Sequence, residues 1–227
     1  ASDGAFDVTC RPLVTLWKEA GRAGKLPTDA ELAATRARVG WRHLRLDAAA
    51  REVSRAIDGL EVDLGGIAKG YALDLAGAAM RASGATAVLV DIGGDVLALG
   101  TPPDGRPWRI GIRHPFREGH FRVLTLTDRA VATSGLQQRF HEIDGQRYSH
   151  IIDPRTGQPA HEAPSVTVIA RDGLTADAWA TALSVLPVEE ALALATARGE
   201  VEALWVSGPP EAPREVQTPG FAAYVAE

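Results

Sequence analysis

The chain has 227 residues, of which 45% are hydrophobic and 23% are charged, and its formal net charge is -5. This composition is typical of a globular protein with one sizeable core, and it lacks the basic excess expected of a nucleic-acid-binding protein. The single cysteine, Cys10, excludes an internal disulfide and a zinc site built from several cysteines, and its apolar neighbours favour a buried small side chain over a nucleophile.

The first forty residues predict two helices. Apolar residues recur at helical spacing over residues 8–23, with Pro12 in an early turn. Thr28 and Glu31 have the hydroxyl-to-carboxylate spacing of a capping box, which predicts a short helix to about residue 38. We expect both helices at the periphery of the domain.

The middle of the chain predicts a strand meander, a long helix and a buried strand. Residues 41–63 are strand-like with frequent turn signals, and residues 67–82 form the clearest amphipathic helix. Residues 87–92 are a nearly continuous apolar run, which predicts a strand buried on both faces. Two or three short strands are expected after it.

The second half of the chain predicts further strands around two helices. The expected strands are at residues 123–132, 147–152, 166–170, 203–206 and 220–225, and the expected helices are at 175–186 and 188–197. An Asp-Gly pair within residues 143–146 predicts a hairpin turn. Short strands beside clustered helices, without strict alternation, indicate an α+β fold, with a mixed or antiparallel sheet roll and flanking helices.

One short pattern occurs twice. Residues 62–66 and 90–94 each combine apolar residues, an aspartate and a pair of glycines, and the first copy opens directly into the predicted long helix. Paired glycines at a strand end let a phosphate approach the backbone, and a helix start presents free N–H groups. Glycine pairs serve turns more often than they bind phosphate, so either copy alone is weak evidence.

Two further segments carry side chains suited to ligands. Thr133 and Ser134 stand beside a glycine at a strand end, where hydroxyls can hold phosphate oxygens and where a plain turn is the alternative. Asp177 and Thr181 are four residues apart on a predicted helix and therefore share one face. They suit a magnesium ion, although a helix-start aspartate with a back-bonded threonine explains the same spacing.

A turn at residues 149–159 concentrates polar chemistry, since it holds His150, Asp153 and Arg155. The six histidines of the chain show no spacing typical of a zinc site. Neither a P-loop nor a Gly-x-Ser-x-Gly elbow is present. The sequence therefore argues against zinc enzymes, P-loop enzymes and serine hydrolases of the elbow type.

These segments, in their order along the chain, resemble the ApbE family of FAD:protein FMN transferases. The motifs are Ser-Asp-Gly-Ala-Phe-Asp-Val-Thr at 2–9, Asp-Leu-Gly-Gly-Ile-Ala-Lys-Gly-Tyr at 63–71, Asp-Ile-Gly-Gly-Asp at 91–95, Trp-Arg-Ile-Gly-Ile at 108–112, Thr-Ser-Gly at 133–135, His-Ile-Ile-Asp-Pro-Arg-Thr-Gly at 150–157 and Asp-Ala-Trp-Ala-Thr at 177–181. Their length and order make chance agreement implausible. The resemblance implies a single ApbE-like flavin transferase domain over residues 1–227, which begins at the first motif and lacks the segment that usually precedes it in the family.

The resemblance implies a magnesium-dependent enzyme that cleaves the diphosphate of FAD, passes FMN to a threonine hydroxyl of a partner protein and releases AMP. Two alternatives stay open: an FAD pyrophosphatase, in which water replaces the threonine, and a flavin-binding module without turnover. Acceptors in the family are subunits of membrane-bound redox complexes, such as sodium-pumping NADH:quinone oxidoreductase. A periplasmic location, or one on the outer face of the cytoplasmic membrane, is therefore expected.

The resemblance also implies roles for individual residues. His150 is the expected general base at the FAD diphosphate, and Asp153 belongs to the turn that aims it and is the second candidate for the base. The expected FAD contacts are Ala5, Phe6, Asp7, Asp63, Lys69, Thr133, Ser134 and His150. The expected magnesium ligands are Asp177, Thr181 and a backbone oxygen near Gly66.

Overall fold

A six-stranded antiparallel sheet forms the centre of the structure, a computed structural model that describes residues 1–135, 140–160 and 165–226. Its strands in spatial order are β12 (Arg214–Gln217), β11 (Glu202–Ser207), β10 (Ser165–Ala170), β7 (Arg129–Gly135), β4 (Asp95–Leu99) and β3 (Val88–Ile92). Three two-stranded antiparallel pairs accompany it: β1 (Leu44–Asp47) with β2 (Glu52–Arg55), β5 (Trp108–Arg113) with β6 (His120–Leu126), and β8 (Phe140–Ile143) with β9 (Gln146–Ser149). The expected α+β fold is confirmed.

Side-chain caps begin the second and the fourth of the five helices, and left-handed glycines end the first and the last. The helices are α1 (Arg11–Ala23), α2 (Asp29–Arg36), α3 (Ala68–Ala82), α4 (Gly173–Val185) and α5 (Val188–Arg198). The capping box of α2 is present, because Glu31 donates its N–H to the Thr28 hydroxyl and accepts the Thr28 N–H at 2.8 Å. Pro12 lies in the first turn of α1, which explains why this helix starts later than residue 8. Within the described residues, none of these helices has the length and apolar character needed to cross a membrane.

The sheet separates two hydrophobic clusters. On one face, Leu97, Val166 and Val168 pack against apolar residues of α3, α4 and α5. On the other face, Val131 and Ile169 belong to a cluster that includes the β5–β6 hairpin. A third cluster joins α1 and α2 to the β8–β9 hairpin. The sheet is thus covered on both faces, as a layered α+β domain requires.

Helices α3 and α4 approach each other through a pair of glycines. A side chain on Gly70 would overlap the backbone carbonyl of Gly173, so the two backbones meet directly. The Asp74 carboxylate accepts the N–H groups of Gly173 at 2.6 Å and Leu174 at 2.9 Å and fixes the start of α4 on α3. This crossing brings the first turn of α3 beside the first turns of α4, which carry Asp177.

Three expectations from the sequence were wrong. Residues 123–132 were expected to form one strand, but they cover the end of β6 and the start of β7, which belong to different sheets. Residues 87–92 were expected to form a strand buried on both faces, but β3 is the edge strand of the sheet, and Leu89 is 43% exposed. An apolar run alone does not distinguish an edge strand from an interior strand. Residues 220–225 were expected to form a strand, but Phe221–Tyr224 is a short 3₁₀ turn, because the buried Phe221 ring anchors it against the cluster below the β5–β6 hairpin. The last strand of the sheet is β12 instead.

Candidate functional site

A cavity of about 580 Å³ lies between the end of β7, the first turn of α3 and the middle of α4. This volume is within the range of small-molecule sites in proteins, roughly 300–1,000 Å³. The predicted site residues that line it are Ala5, Phe6, Asp7, Asp63, Gly66, Lys69, Thr133, Ser134, His150, Asp177 and Thr181. The fold therefore brings together every predicted site residue except Asp153.

One wall of the cavity holds oxygen atoms from α4 and from the loop before α3. Asp177 is buried and accepts the N–H of Gly70 at 3.1 Å. A β-carbon on Gly66 would come within 2.9 Å of the Thr181 hydroxyl and 3.0 Å of the Phe6 ring, so a glycine is needed for this close approach. The carboxylate, the hydroxyl and the neighbouring backbone of Gly66 form the kind of hard-oxygen donor set that suits magnesium.

A lysine links two buried carboxylates at the same wall. The Lys69 ammonium forms an ion pair with Asp95 and lies 3.7 Å from Oδ1 of Asp177. Burial raises the pKa of Asp95, and the hydrogen bond and charge of Lys69 oppose that rise. The ammonium is thus a cation already held beside the carboxylate that is expected to bind magnesium. The sequence analysis did not identify Asp95 as a site residue, although it is the last residue of the Asp-Ile-Gly-Gly-Asp motif at 91–95.

At the end of β7, Thr133 forms hydrogen bonds with Asp95 and with the neighbouring strand β10. Thr133 donates its N–H to Oδ1 of Asp95 at 3.2 Å, and its hydroxyl is 3.0 Å from the hydroxyl of Thr167 on β10. Residues 133–135 are the last residues of β7 and pair with β10, so the Thr-Ser-Gly motif is a strand end and not a turn. The sheet therefore holds the backbone of this motif in place, and Ser134 lines the cavity.

The other side of the cavity is built by two aspartates that anchor loops. Asp7 accepts the N–H and the hydroxyl of Thr9 at 2.8 and 2.6 Å and the N–H of Trp41 at 2.9 Å. Asp63 accepts the N–H of Gly65 at 2.8 Å and pairs with Arg11 at 3.0 Å. Both carboxylates still face the cavity, and their contacts fix the loops that line it.

His150 lines the cavity, whereas Asp153 is buried outside the cavity lining and stabilises the turn that follows His150. The carboxylate of Asp153 accepts hydrogen bonds from the backbone N–H of Arg155 at 2.8 Å and from its guanidinium at 2.9 and 3.1 Å. Arg155 also contacts Glu190 on α5 at 3.0 Å. Its hydrogen bond with Asp153 raises the pKa of the Arg155 guanidinium. This geometry favours the role of Asp153 in aiming the turn over the role of a second base.

Cys10 also lines the cavity, a position that no sequence motif predicted. Burial raises the pKa of its thiol to about 12, and the negative charges of Asp7, Asp153 and Asp63 add to that rise. The thiol therefore stays protonated at neutral pH. The expected burial is not found, because Cys10 is partly exposed at the cavity, but its raised pKa agrees with the expectation that it is not a nucleophile.

Taken as chemistry, the cavity combines an ammonium, two hydroxyls, a histidine and a hard-oxygen wall. In residues 1–135, 140–160 and 165–226, no group of three or more His, Cys, Asp or Glu side chains is placed to hold a metal ion. A cation at this wall would therefore have few protein ligands and would share its shell with waters and ligand oxygens, as magnesium does in phosphate sites. The arrangement suits a ligand that carries phosphate groups.

The chain is similar to proteins of one family. The model of the ApbE family matches residues 1–205. A curated relative from Vibrio cholerae serotype O1, named FAD:protein FMN transferase, is 41% identical over 201 residues, which are 86% of this chain and 60% of the relative. The chain thus spans less than two thirds of the length of that relative.

Two solved structures have the same fold. The apo crystal structure of the flavinyl transferase ApbE from Pseudomonas stutzeri is 39% identical, with a TM-score of 0.85 over 98% of this chain and 70% of that one. The ApbE protein from Thermotoga maritima is 34% identical, with a TM-score of 0.87 over 100% of this chain and 74% of that one.

Proposed function

Because this chain belongs to the ApbE family, we propose that it transfers FMN from FAD to a threonine hydroxyl of a partner protein, with magnesium, and releases AMP. The observation that carries the proposal is the shared cavity. Residues 5–7, 63–69, 133–134 and 177–181 come from distant parts of the chain, yet members of each segment line one space together with His150. A diphosphate needs such converging groups, because phosphoryl transfer depends on positioning and on charge stabilisation.

In the proposed reaction, the threonine oxygen attacks the flavin-side phosphorus of FAD. A new P–O bond forms to the threonine, the bond from that phosphorus to the bridging oxygen breaks, and AMP leaves with the bridging oxygen. His150 accepts the proton of the threonine hydroxyl, since its imidazole lines the cavity and histidine is the side chain that most often serves as a general base. The Lys69 ammonium offsets negative charge on the diphosphate.

Asp177, Thr181 and the backbone of Gly66 would hold the magnesium ion. The close approach of Gly66 to Thr181 and the burial of Asp177 support this set, and the nearby Lys69 ammonium indicates that the wall attracts cations. When bound, magnesium supplies positive charge to the phosphate oxygens. The positions of these three residues would determine where the ion binds.

The acceptor and the location are part of the same proposal. We infer an acceptor that is a subunit of a membrane redox complex, and a site of action in the periplasm or on the outer face of the cytoplasmic membrane. Family resemblance alone supports both statements.

The test is to incubate the protein with FAD, Mg²⁺ and a subunit of a sodium-pumping NADH:quinone oxidoreductase. AMP is measured by chromatography, and flavin on the acceptor is measured by in-gel fluorescence after denaturation. We expect both products, and neither when EDTA replaces Mg²⁺. AMP with free FMN and an unlabelled acceptor would instead indicate a pyrophosphatase, whereas bound but uncleaved FAD would indicate a binding module.

A further inference from the structure

The buried carboxylate of Asp95 has no part in the proposed reaction, yet it lies beside the cavity. Asp95 begins β4, directly after the Gly93–Gly94 turn, and its side chain is 3% exposed. Both of its oxygens are engaged, one by the Lys69 ammonium and the other by the N–H of Thr133. A buried charge is retained at such a position only when it is paired in this way.

The partner of Asp95 is shared with Asp177. The Lys69 ammonium reaches from α3 to Asp95 on β4 and remains 3.7 Å from Asp177 on α4. One positive charge therefore lies between two buried negative charges, and the closer contact is with Asp95. An ammonium near a carboxylate competes with a divalent cation for the same oxygen atoms.

We propose that Asp95 is a positioning residue for the cation site, because it holds the Lys69 ammonium away from Asp177 and leaves the Asp177 oxygens to a divalent cation. This inference rests on the proposed function, which assigns Asp177 to magnesium. With Asp95 in place, the ammonium also stays at the cavity wall, where it can face a diphosphate. Without it, the ion pair with Asp177 remains available to Lys69, and the ammonium moves towards the cation site.

Residues behind metal ligands commonly tune affinity in this manner, and their loss costs about 10- to 100-fold in metal binding. Asp95→Asn is the informative change, because an asparagine keeps an oxygen for the Thr133 N–H while removing the charge that holds Lys69. Asp91→Asn is the matched control. It makes the same change on the same hairpin, but Asp91 is exposed and accepts only the Gly94 N–H among the described contacts.

The experiment is calorimetric titration of MgCl₂ into the protein without FAD, so that no turnover is involved. We expect Asp95→Asn to raise the Kd for Mg²⁺ about 10- to 100-fold and Asp91→Asn to change it less than about twofold. Lys69→Met should lower the Kd, because it removes the competing ammonium. In the Lys69→Met background, Asp95→Asn should have little further effect, since the residue that Asp95 positions is gone.

The outcomes separate this inference from the proposed function. If the wild-type protein binds no Mg²⁺ without FAD, this inference is wrong, because the protein alone then forms no cation site for Asp95 to support, whereas the proposed function still stands if FAD is turned over with Mg²⁺. If the wild-type protein binds Mg²⁺ but Asp95→Asn binds it equally well, only the role of Asp95 is wrong. If Asp95→Asn weakens Mg²⁺ binding equally in the wild-type and Lys69→Met backgrounds, the inference is also wrong, because the effect would then come from the loss of negative charge and not from the position of Lys69. Should Asp95→Asn fail to fold, unchanged or weaker binding in Lys69→Met would be sufficient to reject the inference.

Discussion

Replacing His150 with alanine should separate catalysis from binding. Loss of a positioned general base lowers turnover by about 10² to 10⁴, while FAD affinity should change little because many other residues line the cavity proposed to hold FAD. The measurements are the rate of flavin transfer and the quenching of FAD fluorescence on binding. His120→Ala is a matched control, since His120 is exposed on β6 and lies outside the cavity lining. Parallel losses of rate and affinity would show that His150 binds phosphate and is not the base.

Asp177→Asn should abolish magnesium-dependent turnover and leave the fold intact. The asparagine keeps an oxygen for the Gly70 N–H, so the packing of α3 on α4 survives, but the charge that would hold the cation is lost. AMP release at increasing MgCl₂ and a thermal melt measure the two effects. Asp172→Asn is the control on the same helix, because asparagine caps a helix as well as aspartate does. Unchanged AMP release at limiting Mg²⁺ would contradict the assignment.

The Cys10 thiol should react slowly with a disulfide reagent such as DTNB. Its pKa of about 12 leaves little thiolate at pH 8, since the thiolate fraction below the pKa falls about tenfold per pH unit. We expect a rate at least about a hundredfold below that of the urea-unfolded chain, and a rise in rate as the pH approaches 12. Equal rates in the folded and unfolded chains would show that the thiol is freely ionised.

At the level of single residues, local motifs identified the residues that line the cavity, but they did not identify the residues that hold those side chains in position. The residues that line the cavity belong to short motifs with recognisable chemistry, so the sequence predicted them as site residues. Asp95 was missed because a carboxylate after a glycine pair is indistinguishable from a turn residue until the fold brings Lys69 against it. The pairing of Asp153 with Arg155 was not predicted for the same reason, since it depends on the shape of the turn.

At the scale of elements, the contact between α3 and α4 determines the geometry of the site. Gly70→Ala would force its new methyl group into the backbone of Gly173 and should destabilise the protein by about 1–3 kcal/mol. It should also weaken Mg²⁺ binding, because Lys69 and Asp177 lie on either side of this contact. Urea unfolding and calorimetry measure the two effects. Ala78→Ser, on the exposed face of α3, should cost less than about 0.5 kcal/mol, and equal stability of the two variants would contradict the prediction.

Helix caps and hairpin turns, which depend on a few adjacent residues, were predicted correctly. The position of a strand in the sheet, which depends on contacts with distant residues, was not. The capping box of α2 and the hairpin between β8 and β9 were both found from a few residues, because hydroxyl caps and Asp-Gly turns act locally. The edge position of β3 depends on which strands pair with it, and an apolar run carries no such information. The same limit explains the error at Phe221–Tyr224, where tertiary burial of one ring decides the conformation.

On the scale of the whole molecule, ligand binding should stabilise the fold, because the cavity joins segments that lie far apart in the chain, from Ala5 to Thr181. FAD at about 100 times its Kd should contribute about 2.7 kcal/mol to the free energy of unfolding, and Mg²⁺ at the same multiple of its own Kd should add a further increment of about that size. The expected result is a higher Tm with both ligands than with FAD alone, measured by calorimetry. In Asp177→Asn, the increment that depends on Mg²⁺ should disappear. An increment that survives in this variant would place the cation elsewhere.

The most direct test of the proposed transfer is to run the reaction with the acceptor subunit in water enriched in oxygen-18 and to measure intact masses. Attack by the threonine oxygen predicts one FMN added per acceptor with loss of one water, and no oxygen-18 in AMP or in the new phosphoester. Free FMN that carries oxygen-18, with an acceptor of unchanged mass, would show that water is the nucleophile and would contradict the transferase assignment.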